Sequence, residues 1–395
     1  MSPIAEVEGR RIALKNLDKV IHPATGTTKG ELLHYLASAA DPLLGHLRGR
    51  PLAFLRYPDG PDGQKFFTKN PPPGTPSWVT TAEVTRHEGE TARQVLVQDL
   101  PSLMWAANLV VEFHAPMWRD DLGVGIADRL VFDLDPGPPA TIVDCRAVAV
   151  WLRERLRADG LTAYAKTSGS KGLHLLVPVE PTASRRTTAY ARRLAQEAAV
   201  ALPDLVVRKM TRSLRPGKVY VDFSQNAAAK TTAAPYTPRA RPEPAVSTPV
   251  TWEEVEECRT PEALSFLIDD IPGRLDRHGD LLAPLLDPAR ARPLPTGGGR
   301  GADFGGGGEE IDEEDSGEGW DENGASSGEG NEEGGGTESG AESGGDSGGE
   351  NSGGDDSGEV GGKDSGGDDS GEASGKDSGG KDSGGKDSGE GAAGR

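Results

Sequence analysis

The sequence predicts an α+β fold, and three observations point to it. Apolar runs of strand length are interspersed with amphipathic helical stretches. Their order is irregular and does not repeat a β-α-β unit. This patterning belongs to the first 296 of the 395 residues.

In chain order, a helix is expected near residues 29–40, with strands near 53–57 and 94–97. The run LVFDLD at 130–135 is the clearest strand, stopped by Pro136-Gly137. A helix follows over 144–157. Asp144 can cap it, Val148, Trp151, Leu152 and Leu156 share one face, and Gly160 can end it. A strand over 162–166, the polar loop Ser168-Gly169-Ser170-Lys171-Gly172 and a strand over 173–179 come next. A long helix over 184–200 and a strand over 218–223 complete the pattern.

Charge divides the chain in two. The whole carries a net charge of -20, but residues 297–395 hold 28 acidic and 6 basic side chains, a net of -22. The preceding residues hold 35 acidic and 37 basic ones, an ordinary globular balance. The segment 297–395 also holds 37 of the 55 glycines and ends in a GGKDSG near-repeat, so too little apolar surface is available there to offset the entropy of ordering. We expect a folded unit over 1–290, a linker over 291–296 and a disordered acidic tail over 297–395. The tail either only solubilises the chain or competes with nucleic acid for basic surface.

Several classes are disfavoured. The charged N-terminus lacks the apolar core of a secretory signal, and no run has the length needed to span a bilayer. Cys145 and Cys258 lack metal-site spacing, so neither a disulfide framework nor a zinc site is indicated. A reducing cytoplasm is the simplest setting, and no membrane partner is expected.

The sharpest chemical signal is Asp133-x-Asp135. Residues two apart on a strand share a face, so both carboxylates meet at one place, as hard divalent ions such as Mg²⁺ or Mn²⁺ require. A solvated strand end before the Pro-Gly turn is an equally good reading of this pair alone. Asp222 is a lone acid in the apolar run VYVDF; it is either a third ligand, enough for two ions, or an edge residue in water. Ser168–Gly172, with Lys171 and the following His174, can form an anion nest; a polar hairpin turn is the alternative. Taken with Asp133-x-Asp135, the loop favours a metal-triphosphate site.

Lys19 and Lys29 bracket a hydroxyl-rich loop able to hold a terminal phosphate, with a plain solvated loop as the alternative. Phe66-Phe67 is an aromatic pair suited to base stacking or to a core. Lys209, Arg212, Arg215 and Lys218 precede Asp222, and Lys230 and Arg239 follow it, a density of cations that suggests polyanion contact.

Four segments, DKVIHPATGTTKGELLHYL, LVFDLDPG, TSGSKGLHLLVP and VYVDFSQNAAAKTTAAPYTPRARP, together resemble the polymerase domain of bacterial ligase D. That family belongs to the archaeo-eukaryotic primase superfamily and acts in non-homologous end joining. The resemblance runs from about residue 14 to about residue 282 and implies one primase-like catalytic core, a sheet-based active site flanked by helices.

By position, it implies that Asp133, Asp135 and Asp222 hold two Mn²⁺ or Mg²⁺ ions. It assigns His114, Ser168, Lys171, His174, Lys230 and Arg239 to the nucleotide, and Lys19 and Lys29 to a downstream 5′-phosphate. Phe66 and Phe67 would stack near the template, with Arg56 and Arg215 as further contacts. The implied activity is nucleotide addition, ribonucleotides preferred, to a primer 3′-OH at gaps and double-strand-break ends. The implied partners are DNA ends, gapped duplex, NTP or dNTP, Ku and a separate ATP-dependent DNA ligase.

A Lys-x-Asp-Gly ligase motif is absent, so a stand-alone polymerase is expected. Two rival readings are a non-catalytic DNA-end scaffold that recruits a ligase, and an aspartate-nucleophile phosphatase suggested by Phe-Asp-Leu-Asp.

Overall fold

In the computed structural model, residues 3–85, 91–208 and 211–295 are described. The expected tail and Lys209 lie outside them.

The chain begins with two hairpins, β1 (Ile4–Val7) with β2 (Arg10–Ala13) and β3 (Val20–His22) with β4 (Thr27–Thr28). The expected first helix is two: α1 (Lys29–Ser38) and α2 (Ala40–Leu47), separated at the non-helical Ala39. Then come β5 (Ala53–Arg56), β6 (Phe66–Thr68), β7 (Thr81–Thr85) and β8 (Thr91–Val95), the last lying earlier than the expected 94–97. Helix α3 (Leu100–Ala107) leads to β9 (Val111–Ala115) and the long β10 (Ile126–Pro136).

Helix α4 (Ile142–Ala158) is capped by Thr141 rather than by Asp144. Asp144 occupies the third helical position, where its carboxylate accepts the Thr141 N–H at 2.7 Å and closes a capping box. The helix ends before Gly160, whose φ of 78° is left-handed. β11 (Tyr164–Thr167), β12 (Leu173–Ala183), α5 (Ser184–Ala201), β13 (Val206–Val207), β14 (Val219–Asp222), β15 (Thr232–Ala233) and β16 (Pro249–Val250) follow. Two short helices, α6 (Trp252–Glu257) and α7 (Asp270–His278), come after β16.

Two sheets organise these elements. The larger has the order β13-β14-β10-β12-β11-β16, antiparallel except for the β13–β14 pair. The smaller, β15-β9-β5-β6, is antiparallel. Alternation sorts the larger sheet's residues between its faces. Leu130, Phe132 and Leu134 of β10, Leu173, Leu175 and Val177 of β12, and Val219 and Val221 of β14 form a core with α4 and α5. The opposite face takes Val131, Asp133 and Asp135, with Leu176 and His174 beside them. The smaller sheet packs its own core, including Phe54 and Phe113, with α1, α2 and α3.

The stretch expected as a linker is partly packed. Leu294 is buried in the larger sheet's core, and the Arg292 carbonyl accepts the Glu180 N–H at 3.0 Å. Leu294 and the backbone bridge between Val179 and Arg292 together tie down an otherwise Pro- and Arg-rich segment.

Candidate active site

Strand register assembles the site. On β10, Asp133 lies opposite Asp222 of β14 on one side and opposite His174 of β12 on the other. His174 in turn lies opposite Lys166 of β11. Directly opposed residues of antiparallel strands point to the same face, so Lys166, His174, Asp133 and Asp222 form one row across four strands. Asp135, two residues along β10, shares that face.

Each acid has its own partners. Asp133 Oδ1 lies 3.3 Å from His174 Nε2. Asp135 lies between Lys171 Nζ at 3.3 Å and an Arg215 guanidinium nitrogen at 3.2 Å, with that guanidinium also over the Tyr220 ring. Asp222 accepts the Ser224 N–H at 2.9 Å, the Ser224 hydroxyl at 2.6 Å and the Gln225 side-chain amide at 2.8 Å.

Their titration follows these surroundings. Burial, then the neighbouring Asp133 charge, push Asp222 above the usual carboxylate range. Burial also raises Asp135, with the Lys171 charge offsetting part of it and Asp133 adding to it. Burial would raise Asp133 as well, but the His174 and Lys166 side chains outweigh it and hold that carboxyl low. Burial lowers His174, and the adjacent Lys166 lowers it further; Lys166 itself, fully buried, is driven well below an ordinary lysine.

The polar loop after β11 brings Lys171 to these acids. Ser168 Oγ accepts the N–H groups of Ser170 and Gly172 at 3.2 and 3.1 Å, which shapes the turn. Gly172 is required by close approach, because a Cβ there would sit 2.1 Å from the Leu134 carbonyl oxygen. The Ser168 carbonyl accepts a hydrogen bond from Arg239, and the Ser170 hydroxyl one from Arg241. Arg239 Nε also donates to Glu112 on β9 at 2.8 Å, and His114 Nε2 lies 3.0 Å from the same carboxylate oxygen. His114 meets the Phe67 ring edge-on at 5.9 Å.

The structure thus connects Asp133, Asp135, Asp222, Ser168, Lys171, His174, Arg215, Arg239, His114 and Phe67 by direct contact or register. Phe66 is partly exposed and lies opposite Arg56 on the β5–β6 pair. Lys230 is half-buried, two residues before β15, whose Ala233 lies opposite His114. Lys19 and Lys29 form a separate cluster at the start of α1. Lys19 Nζ reaches the Pro58 carbonyl at 2.7 Å and Asp59 at 2.5 Å, and Lys29 Nζ reaches the Lys15 carbonyl at 2.9 Å. That cluster adjoins the Arg239 loop through His22, whose Nδ1 is 2.8 Å from the Arg241 carbonyl oxygen.

Lys166 and Glu112 were not singled out from sequence. Each stands two residues from a chosen neighbour, Ser168 and His114 respectively, and Glu112 shares a strand face with His114.

The donor set suits a hard divalent cation: three carboxylates on adjacent strands, two of them raised toward neutrality by burial with Asp133's charge adding to it. Among the described residues, no three His, Cys, Asp or Glu side chains are gathered tightly enough to enclose an ion as they stand. Asp135 is engaged by cations instead.

Fold and site define an α+β protein with three acids on one sheet face and cationic side chains gathered around them. Residues 28–282 match the model for the LigD primase-polymerase domain, and the chain belongs to that family. It is 44% identical over 278 residues to the multifunctional non-homologous end joining protein LigD of Mycolicibacterium smegmatis, an alignment covering 70% of this chain and 36% of that one. Against the bifunctional LigD of Bacillus subtilis it is 30% identical over 280 residues, covering 70% of this chain and 44% of that protein. The solved polymerase domain from Mycobacterium tuberculosis ligase D, in complex with DNA, matches with a TM-score of 0.65 and 42% identity, covering 70% of this chain and 98% of that one. The chain spans well under half the length of these curated relatives. Both the α+β expectation and the ligase D resemblance are met. Among the described residues no helix is long and apolar enough to cross a membrane.

Proposed function

We propose that this chain is a DNA-directed nucleotidyltransferase that extends a primer 3′-OH at gaps and double-strand-break ends in non-homologous end joining. The observation that carries the reading is the cross-strand row of Asp222, Asp133 and His174, with Asp135 beside it and the Ser168–Gly172 loop at its edge. An aspartate-nucleophile phosphatase would carry Thr or Val four residues after Asp133, where Gly137 stands, and a scaffold has no use for three neighbouring, mutually repelling acids.

Asp133, Asp135 and Asp222 would hold two Mg²⁺ or Mn²⁺ ions, which when bound lower the cost of negative charge on the 3′-oxygen and on the leaving pyrophosphate. The chain's own groups do the positioning. Lys171 and Arg215 now neutralise Asp135 and can turn to phosphate oxygens. Arg239, braced by Glu112, supplies a planar guanidinium beside the Ser168 loop. His174, opposite Asp133 in register and 3.3 Å from its carboxylate, orients that group. Positioning and electrostatics supply most of the rate in phosphoryl transfer, so no protein base is assigned. Phe67 and His114 would take the base side, Phe66 the template, and Lys230 and Arg56 the outer contacts. Lys19 and Lys29 would take the downstream 5′-phosphate. Ribonucleotides are the preferred substrate in this reading, and Ku and a separate ATP-dependent ligase are the partners.

The test is extension of a labelled primer on a gapped duplex with Mn²⁺, comparing NTP with dNTP and gaps with and without the 5′-phosphate. Wild type should incorporate ribonucleotides. Asp135→Ala and Asp222→Asn should each lose at least about a thousandfold in rate while still shifting the duplex in a gel. Extension by either variant at the wild-type rate would remove these acids from the chemistry. A wild type that binds the gap without extending it would establish the scaffold.

A further inference from the structure

Glu112 is an acid in the middle of β9, buried to 2% exposure between Val111 and Phe113 of the smaller sheet's core. An ionised carboxylate in such a place is costly unless fully engaged. Its engagement is complete and spans three parts of the chain. Oε2 accepts Arg239 Nε at 2.8 Å and lies 3.0 Å from His114 Nε2, while Oε1 accepts the Ala240 N–H at 2.5 Å. Burial by itself would raise this carboxyl, but Arg239, His114 and the Ala240 N–H outweigh it and hold it at about 2.

What those partners touch gives the acid its significance. Arg239 extends from Glu112 to the Ser168 carbonyl in the anion-binding loop of the larger sheet. His114 extends from it to the Phe67 ring. One carboxylate therefore fixes the group on the phosphate side of the site and the group on the base side. A guanidinium left alone would be free to fold onto Asp133, whose charge it already feels.

We propose that Glu112 is a positioning residue for the incoming nucleoside triphosphate, acting through Arg239 and His114 to set the distance between the phosphate-binding and base-binding halves of the pocket. This rests on the polymerase reading above. Glu112 is buried with both oxygens engaged and has no free face to offer a ligand, so its effect must pass through its partners, and that separates it from a residue that only joins the two sheets.

The experiment is titration calorimetry of the full chain with ATP and Mn²⁺, alongside its affinity for gapped duplex, in wild type, Glu112→Gln, Arg239→Ala and the double variant. Glu112→Gln should weaken ATP binding by about tenfold, the scale of one charge-assisted hydrogen bond, and leave duplex affinity within about twofold. In the Arg239→Ala background the same change should cost less than about threefold, because coupled residues are not additive. That background contains no unpaired guanidinium, so it remains informative should the single variant fail to fold. Unchanged ATP affinity in Glu112→Gln, or a full tenfold further loss without Arg239, overturns the assignment. A wild type that shows this coupling yet incorporates no nucleotide overturns the polymerase reading and leaves Glu112 in place.

Discussion

Lys29 and Lys166 are both buried lysines with different surroundings. Lys166 is wholly enclosed, donates to Ser247 Oγ at 2.6 Å and works on His174 and Asp133 through the interior. Lys29 keeps a slight opening to solvent, and burial, then the charges of Lys19 and Lys15, bring it down from 10.5 to about 8. It is therefore charged at neutral pH and neutral at mildly alkaline pH. Under the proposed function, the advantage of a 5′-phosphate in gap binding should fall by about tenfold between about pH 7 and about pH 9.5, measured by fluorescence anisotropy. Lys29→Arg should abolish that step. Folding has the opposite sign: the unfolded lysine keeps its proton to about 10.5, so this group adds stability as pH rises from about 8 toward that value. Asp133, Asp135, Lys171 and His174 could be read from sequence because each motif's members lie within a few residues of one another. Glu112 and Lys166 could not, because a buried charge is recognised by its partners. Arg239 lies 127 residues from Glu112, and Ser247 lies 81 from Lys166.

The helices α4 and α5 lie within two residues of their expected bounds, whereas β10 begins four residues before the expected 130 and β12 runs four residues past the expected 179. The smaller sheet is less visible because its strands are short, five residues in β9 and three in β6. The cap of α4 was misplaced by three residues, since Asp144 and Thr141 are each good caps and only geometry shows Thr141 leading the box. The capping pair matters because α4 covers the core face of β10, directly behind the acids. Thr141→Ala should lower unfolding free energy by about 1 kcal/mol, seen as a reduced urea midpoint with unchanged slope. Extension rate at low temperature should stay as in wild type, because the cap is on the opposite face of the sheet from Asp133.

Across the whole molecule, the overall charge of -20 is a poor guide to partners, since residues 297–395 supply more than all of it. The packed unit also continues beyond residue 290, through the Arg292 contact to the buried Leu294. Two truncations separate packing from charge. A chain ending at Pro295 should melt like the full chain, whereas one ending at Arg290 should lose about 2–3 kcal/mol, the burial of one leucine plus a backbone hydrogen bond. The Pro295 chain then reports on the acidic segment by its affinity for gapped duplex at two salt concentrations. Binding that tightens on truncation at about 50 mM salt, with the gain gone near about 500 mM, identifies a competitor for the cationic surfaces, since screening acts on both polyanions alike. Equal affinity at low salt assigns the segment to solubility alone and leaves Lys171, Arg215 and Arg239 answering only to nucleotide and DNA.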